Sequence, residues 1–322
     1  MAKFHGGISF RMIAGLFWAA VLLTPACQPC TSRQPEVKIL VSTVPFTVPM
    51  MEARFIFLVD YLSKETGRKF QMLTGPSSVD AFQKMIKGEK VSFSFQNPYL
   101  YAILAEKNQA VPVMKTISLD GRTDFRGLVV AKEGSPIKTV TDLRGKTVLA
   151  TSRYNVGGFL AQWMMLKDEG LDPEKDLSYQ FGEPQEKILE KVAGGQAEIG
   201  FLREDVLEAM KSARGQMPRV KIIAATPYYP NHNIVSYPGV DPELVQKVKE
   251  ALQKLDPQNP DQAFILKRLR ISGFAPTSAS DYADFTNLLI LNGFLTPPLA
   301  SSAPVTQTVV PETAPVPQTV AP

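Results

Sequence analysis

Apolar runs alternate with amphipathic stretches along most of the chain. Residues 37–44, VKILVSTV, form a continuous apolar run that ends at Pro45, the pattern of a strand buried on both faces. Residues 45–49 read as a loop. Residues 52–66 carry Phe55, Leu58, Val59 and Leu62 at helical spacing, and Gly67 marks the stop. A strand over 70–73 comes next, then a helix over 79–87, capped by Ser77 or Ser78 and closed by Gly88, and a strand over 91–95. Gln96-Asn97-Pro98 leads into a helix bearing Tyr99, Tyr101, Ile103 and Leu104, and residues 111–117 are strand-like. The order βαβαβαβ predicts a parallel α/β sheet with helices on its faces.

A second α/β unit follows. Its strands are predicted over 126–131, 147–150, 177–181, 199–202 and 220–225, and its helices over 158–169, 185–193 and 205–212. The sharpest signal lies at 145–163, GKTVLATSRYNVGGFLAQW. It reads as a short strand, a polar glycine-containing loop, then a helix with Phe159, Leu160, Trp163 and Leu166 turned inward. A helix start leaves backbone N–H groups with no intrahelical partner, and these together with the helix dipole seat an anion. The stretch therefore predicts one wall of a ligand cleft. An aromatic, proline-bearing loop at 226–231 precedes a strand at 234–237 and amphipathic helices at 242–255, 261–269 and 279–291. Residues 295–322 are rich in Pro, Ala, Thr, Val and Ser, cannot bury a core, and are expected to form a disordered tail.

Composition adds limits. The 322 residues are 44% hydrophobic and 20% charged, ordinary for two globular domains. A net charge of +4, spread among acids on amphipathic helices, gives no reason to expect nucleic acid as a partner. Of two histidines only His232 lies in the predicted fold, which leaves no multi-histidine metal site. There is no GxSxG motif either. No cofactor, metal or catalytic triad is expected.

Both cysteines, Cys27 and Cys30, precede the fold. One CxxC with no second pair is a weak metal or redox signal. Lys3 and Arg11 flank an apolar stretch at 12–24 that is too short to span a bilayer comfortably, and Ala26 offers a cleavage point. Residues 1–26 are expected to be a secretory signal peptide, which implies a periplasmic or other extracytoplasmic location. Residues 23–27, LTPAC, resemble a lipoprotein lipobox, with Thr24 where Leu, Val or Ile is usual. Acylation of Cys27, anchoring the protein to a bacterial membrane, is one reading, and plain secretion is the other.

Five stretches carry a wider resemblance: the first strand with its Pro45 loop; VSFSFQNPY at 91–99; FRGLVVAK at 125–132 with DLRGK at 142–146; VAGGQAEIG at 192–200; and PYYPN at 227–231. Over residues 37–294 the chain resembles the phosphonate/phosphite-binding proteins of bacterial ABC importers, within the type 2 periplasmic solute-binding fold. The resemblance implies an α/β protein of two lobes, each a mixed, mostly parallel sheet flanked by helices, joined by two hinge crossings. Lobe one would span 37–127 plus 230–294 and lobe two 128–229, with 27–36 as a linker.

The resemblance implies capture of a small anionic or zwitterionic solute, an oxyanion or organophosphorus compound, by lobe closure, and its delivery to an ABC permease. A ligand sensor that signals to a membrane sensor kinase is the alternative. An enzyme on the same fold is a more remote one. The residues depart from the family at the site. Asn155, Val156 and Gly157 stand where the family has a Ser/Thr-Ser-Gly hydroxyl fork, and Gln185 stands where it has a histidine. The candidate ligand contacts are Phe46, Asn97 and Tyr99 from lobe one, and Arg153, Asn155, Val156, Gly157, Gly158 and Gln185 from lobe two. Glu204 or Asp205 would hold an amino group. Each has a purely structural reading too: Arg153 as a solvated loop residue, Phe46 as a cap on the sheet, the acids as a helix start.

Overall fold

The structure, a computed structural model, describes residues 35–42, 47–76, 79–215 and 218–296. The expected signal peptide and acylated Cys27, the Phe46 contact, the Ser77 or Ser78 cap and the tail beyond residue 296 lie outside the described residues.

The first sheet is built on β1 (Val37–Ser42), which pairs in parallel with β2 (Phe70–Gly75) and β3 (Phe93–Gln96). Its full order adds β4 (Val111–Ile117), β12 (Asn233–Ser236) and β13 (Gly273–Pro276) to give β13-β4-β12-β3-β1-β2. The sheet is thus mixed, as the resemblance implies, with its parallel pairs at one side and antiparallel pairs at the other. The returning strand β12 lies antiparallel between β3 and β4, and β13 pairs antiparallel with β4. Helix α1 (Val48–Thr66) covers one face, burying Phe55, Leu58, Val59 and Leu62, and ends at Gly67 with φ 67°. Helix α2 (Val79–Glu89) runs through Gly88, and Lys90 takes the left-handed conformation instead, at φ 52°. Helix α3 (Pro98–Asn108) starts as its sequence dictates: the Asn97 side chain accepts from the Leu100 N–H, and Pro98 occupies the first turn.

The second sheet has the order β10-β6-β9-β7-β8, formed by β6 (Gly127–Lys132), β7 (Lys146–Leu149), β8 (Leu177–Gln180), β9 (Ile199–Arg203) and β10 (Val220–Ala225). Strands β7 and β9 are parallel, whereas β6 runs antiparallel to both β9 and β10. Helices α4 (Ala161–Asp168), α5 (Gln185–Ala193) and α6 (Glu204–Arg214) flank it. The chain passes between the sheets twice, and the two passages pair with each other. A two-residue strand β5 (Asp124–Phe125) sets Phe125 opposite Tyr229 of β11 (Tyr229–Pro230).

Helices α7 (Pro242–Gln253) and α8 (Pro260–Leu269) pack on the first sheet beside α1. Helix α9 (Ala283–Leu291) sits at the seam instead. Its Phe285 and Leu289 share a core with Val148, Phe159 and Leu160, and Phe294, just beyond it, packs edge-to-face on Trp163 at 5.0 Å. At 156 the chain makes a wide turn, a π-turn over Val156–Leu160, before α4 begins, so the helical geometry starts two residues ahead of the expected 158.

Candidate functional site

Between the sheets lies a cavity of about 220 Å³. Its chemistry is dominated by three arginines from distant parts of the chain: Arg54 on α1, Arg203 at the end of β9 and Arg270 just after α8. Strand ends bring most of the remaining polar groups, as open α/β sheets do at their ligand crevices.

Arg203 is the hub. Its Nε and one terminal nitrogen donate to both Asp205 oxygens at 2.9 and 2.8 Å, and the same nitrogen reaches Asn231 Oδ1 at 3.0 Å and Ser118 Oγ at 3.3 Å. The guanidinium lies 4.1 Å from the Phe125 ring centroid. Gly157 makes room for it, since a Cβ there would fall 2.3 Å from Arg203 Cγ and 2.8 Å from the Phe125 ring. Gly157→Ala is therefore expected to push Arg203 out of place. It should cost about 1–3 kcal/mol of stability through overpacking and weaken oxyanion binding about tenfold, measured by chemical denaturation and calorimetric titration.

Arg54 donates to the Leu269 carbonyl at 2.6 Å. Burial, then the charges of Arg270 and Arg203, push its pKa down to about 10. Arg270 is held by Glu186 on the opposite lobe. His232 is half-buried, stacks on Phe95 at 5.6 Å, and faces Arg203 through Nδ1 at 3.5 Å. Burial, then Arg203 and Arg54, push its pKa down to about 3, so it is neutral. Its folded pKa lies below its unfolded value, so the unfolded chain binds the extra proton and stability falls as pH drops from about 6.5 toward 3. We expect a loss of about 2 kcal/mol between pH 6.5 and 5, from roughly 1.4 kcal/mol per pH unit. His232→Asn should flatten that slope in denaturation curves taken across the interval.

The lobe-two wall is the strand–loop–helix stretch. The Asn155 side chain accepts from the Gly158 N–H at 2.7 Å and from Gln185 Nε2 at 3.4 Å, and Gln185 Oε1 accepts from the Arg203 N–H at 2.6 Å. Gly158 is thus buried behind its neighbours with its N–H already used. The N–H groups of Val156 and Gly157 have no hydrogen bond among the described residues. Thr151, which also lines the cavity, buries a hydroxyl that has no hydrogen-bond partner among the described residues. It brings a hydroxyl to the wall on which Asn155, Val156 and Gly157 carry none.

Of the residues singled out in the sequence, Asn97, Asn155, Val156, Gly157, Gln185 and Asp205 line this cavity. Asn97 also ties the lobes, donating to the Tyr154 carbonyl at 3.0 Å. Tyr99 lines a smaller adjoining space of about 40 Å³ and stacks on Tyr154 at 5.9 Å. Arg153 points elsewhere, pairing with Glu174 at 2.9 Å beside the Phe159 and Phe181 rings. Glu204 is held by Arg126 and by the Tyr228 hydroxyl at 3.1 Å, outside the cavity, and the Arg126 guanidinium keeps its carboxyl below the usual range. Arg54, Arg203, Arg270, His232 and Thr151 were not singled out as ligand contacts. Only Thr151 and Arg203 carried a signal, their position at the carboxyl end of a strand. Among the described residues no group of three or more His, Cys, Asp or Glu could hold a metal, and no helix is long and apolar enough to cross a membrane.

Comparison with known proteins bears on this arrangement. The family described as ABC transporter, phosphonate, periplasmic substrate-binding protein matches residues 15–282. A binding-protein component of an ABC phosphonate transporter from Pseudomonas aeruginosa superposes with a TM-score of 0.67 at 15% identity, covering 81% of this chain and 87% of that one. PhnD1 from Prochlorococcus marinus, in complex with methylphosphonate, gives 0.67 at 14% identity, covering 81% and 99%. The fold is thus the two-lobed one of periplasmic binding proteins. The tetrathionate sensor histidine kinase TtrS of Salmonella typhimurium is 26% identical over 197 residues, 55% of this chain and 33% of that protein. The chain spans about a third of the length of that relative.

Proposed function

The chain belongs to the family of periplasmic substrate-binding proteins of phosphonate ABC transporters, and from that membership we propose that it captures a small oxyanion or organophosphorus solute between its lobes and delivers it to an ABC permease. The observation that carries the reading is the trio Arg54, Arg203 and Arg270 around one interlobe cavity, with Arg54 repelled by the other two. Guanidinium groups pair with oxyanions through charge-assisted, often bidentate hydrogen bonds. The free N–H groups of Val156 and Gly157 and the Thr151 hydroxyl add donors on the opposite wall. Asn97, Asn155 and Gln185 hold the two walls in place, and Asp205 holds Arg203. Binding on one lobe followed by closure of the other is hinge behaviour suited to the paired crossings at β5 and β11. A location outside the cytoplasm follows from the family. Export by residues 1–26 and anchoring through acylated Cys27 complete the proposal.

A second reading has its own support. The likeness to a tetrathionate sensor kinase favours a role in which the closed form signals to a membrane kinase, with a sulfur oxyanion as ligand. A thermal-shift screen with phosphate, phosphite, methylphosphonate, sulfate and tetrathionate tests the shared core of both. A ligand that binds only the folded state raises the melting temperature by mass action. Stabilisation by a phosphorus oxyanion supports the first reading and stabilisation by tetrathionate alone the second. A shift by neutral solutes with none from any anion would overturn both.

A further inference from the structure

We infer that this site, taken as the oxyanion site proposed above, selects an oxyanion whose remaining part is short and uncharged, of the alkylphosphonate or alkanesulfonate class, and rejects zwitterions that carry an ammonium group. The inference rests on that reading and on where the negative charge of the cavity is spent.

Two carboxylates line the cavity among the described residues, Asp205 and Glu186. Both are committed. Asp205 accepts two hydrogen bonds from Arg203, and Glu186 is paired with Arg270 across the lobes. Arg54 adds a third guanidinium to the lining, and His232 is neutral. An ammonium entering this space would exchange its hydration for walls on which arginines outnumber acids. A buried charge without a counter-charge is costly. Glu204, the acid beside Asp205 that could have received an amino group, is turned away toward Arg126 and Tyr228.

The adjoining space shows where the rest of the ligand goes. It shares Ser42, Asn97, Leu100 and Asn155 with the main cavity, and Val79, Phe82 and the stacked Tyr99–Tyr154 pair complete it. At about 40 Å³ it has room for only a few heavy atoms. No acid lines it. Burial and Tyr154 push the Tyr99 phenol up, which keeps that side chain uncharged. An alkyl stub suits these walls, and an ammonium would find aromatic faces already stacked on each other.

The test compares two ligands with the same number of heavy atoms, propylphosphonate and 2-aminoethylphosphonate, titrated calorimetrically into the full chain at neutral pH. Propylphosphonate is expected to bind at least ~10-fold more tightly, the size of discrimination that one uncompensated charge gives in a partly buried site. Equal affinities, or tighter binding of the aminophosphonate, would overturn the inference while leaving the oxyanion reading intact. Binding of phosphate or methylphosphonate with no binding of propylphosphonate would overturn the assignment of the alkyl space. Failure of every oxyanion would sink the underlying reading itself. Arg270→Gln releases Glu186 and is expected to narrow the preference, and an unchanged ratio would contradict its assignment to the paired carboxylates.

Discussion

Arg203→Met is expected to abolish useful oxyanion binding, with a loss of at least ~100-fold, because one change removes the central guanidinium and strands its partners. A hydrogen bond to a charged group contributes about 1.5–3 kcal/mol. Here the guanidinium side chain is only 12% exposed and meets Asp205, Asn231 and Ser118 as well as the cavity. Stability should drop too, by about 1–3 kcal/mol, since removing one partner of a partly buried ion pair leaves its carboxylate without its counter-charge. The double variant Arg203→Met with Asp205→Asn separates the effects. Removing the stranded carboxylate should restore part of the stability and none of the binding. Recovery of affinity in the double variant would show that Arg203 serves the fold and not the ligand.

Arg54→Met carries a different signature. Affinity should fall at least ~10-fold, for loss of one cation from the cavity, yet the ligand-free protein should lose little. The depressed pKa means that the folded state disfavours this charge, through burial first and then through Arg270 and Arg203. Losing the hydrogen bond to Leu269 costs about 1 kcal/mol, and relief of repulsion offsets it. Denaturation should therefore place the variant within about 1 kcal/mol of the parent. A loss of 3 kcal/mol or more would identify Arg54 as a structural cation. An anion between these arginines would lift the same repulsion, which is how a site can be poor in stability without its ligand and gain by closing on it.

The two variants act on residues that periodicity did not reveal, and the reason is physical. Hydrophobic spacing reports which face of an element is buried. It identified the inner face of α1 through Phe55, Leu58, Val59 and Leu62, and it identified α5 at 185–193. It also found the wall at 151–158, because a glycine-bearing loop between a strand and a helix start leaves a local mark. Arg54 sits on α1 among ordinary polar positions, and only the approach of Arg270, 216 residues later in the chain, and of Arg203 makes it part of a site. Neighbours in space of that kind leave no periodic trace. Strand adjacency is equally silent. Nothing in NIVS or GFAP states that β12 enters antiparallel between β3 and β4, yet that insertion is what carries Asn231 and His232 to the cavity rim. At 203–205 the sequence drew attention to the acids. The fold instead gives the cavity to Arg203, with Asp205 as its clamp, and turns Glu204 outward.

In the proposed complex one oxyanion sits among Arg54, Arg203 and Arg270, against the N–H groups of Val156 and Gly157. The most direct measurement is a crystal structure of the protein grown with the anion that most raises its melting temperature. Density for that anion is expected between the lobes, with its oxygens within hydrogen-bond distance of at least two of the three guanidinium groups and of the 156–157 backbone. An anion bound at another surface, with this cavity holding water or an uncharged molecule, would contradict it.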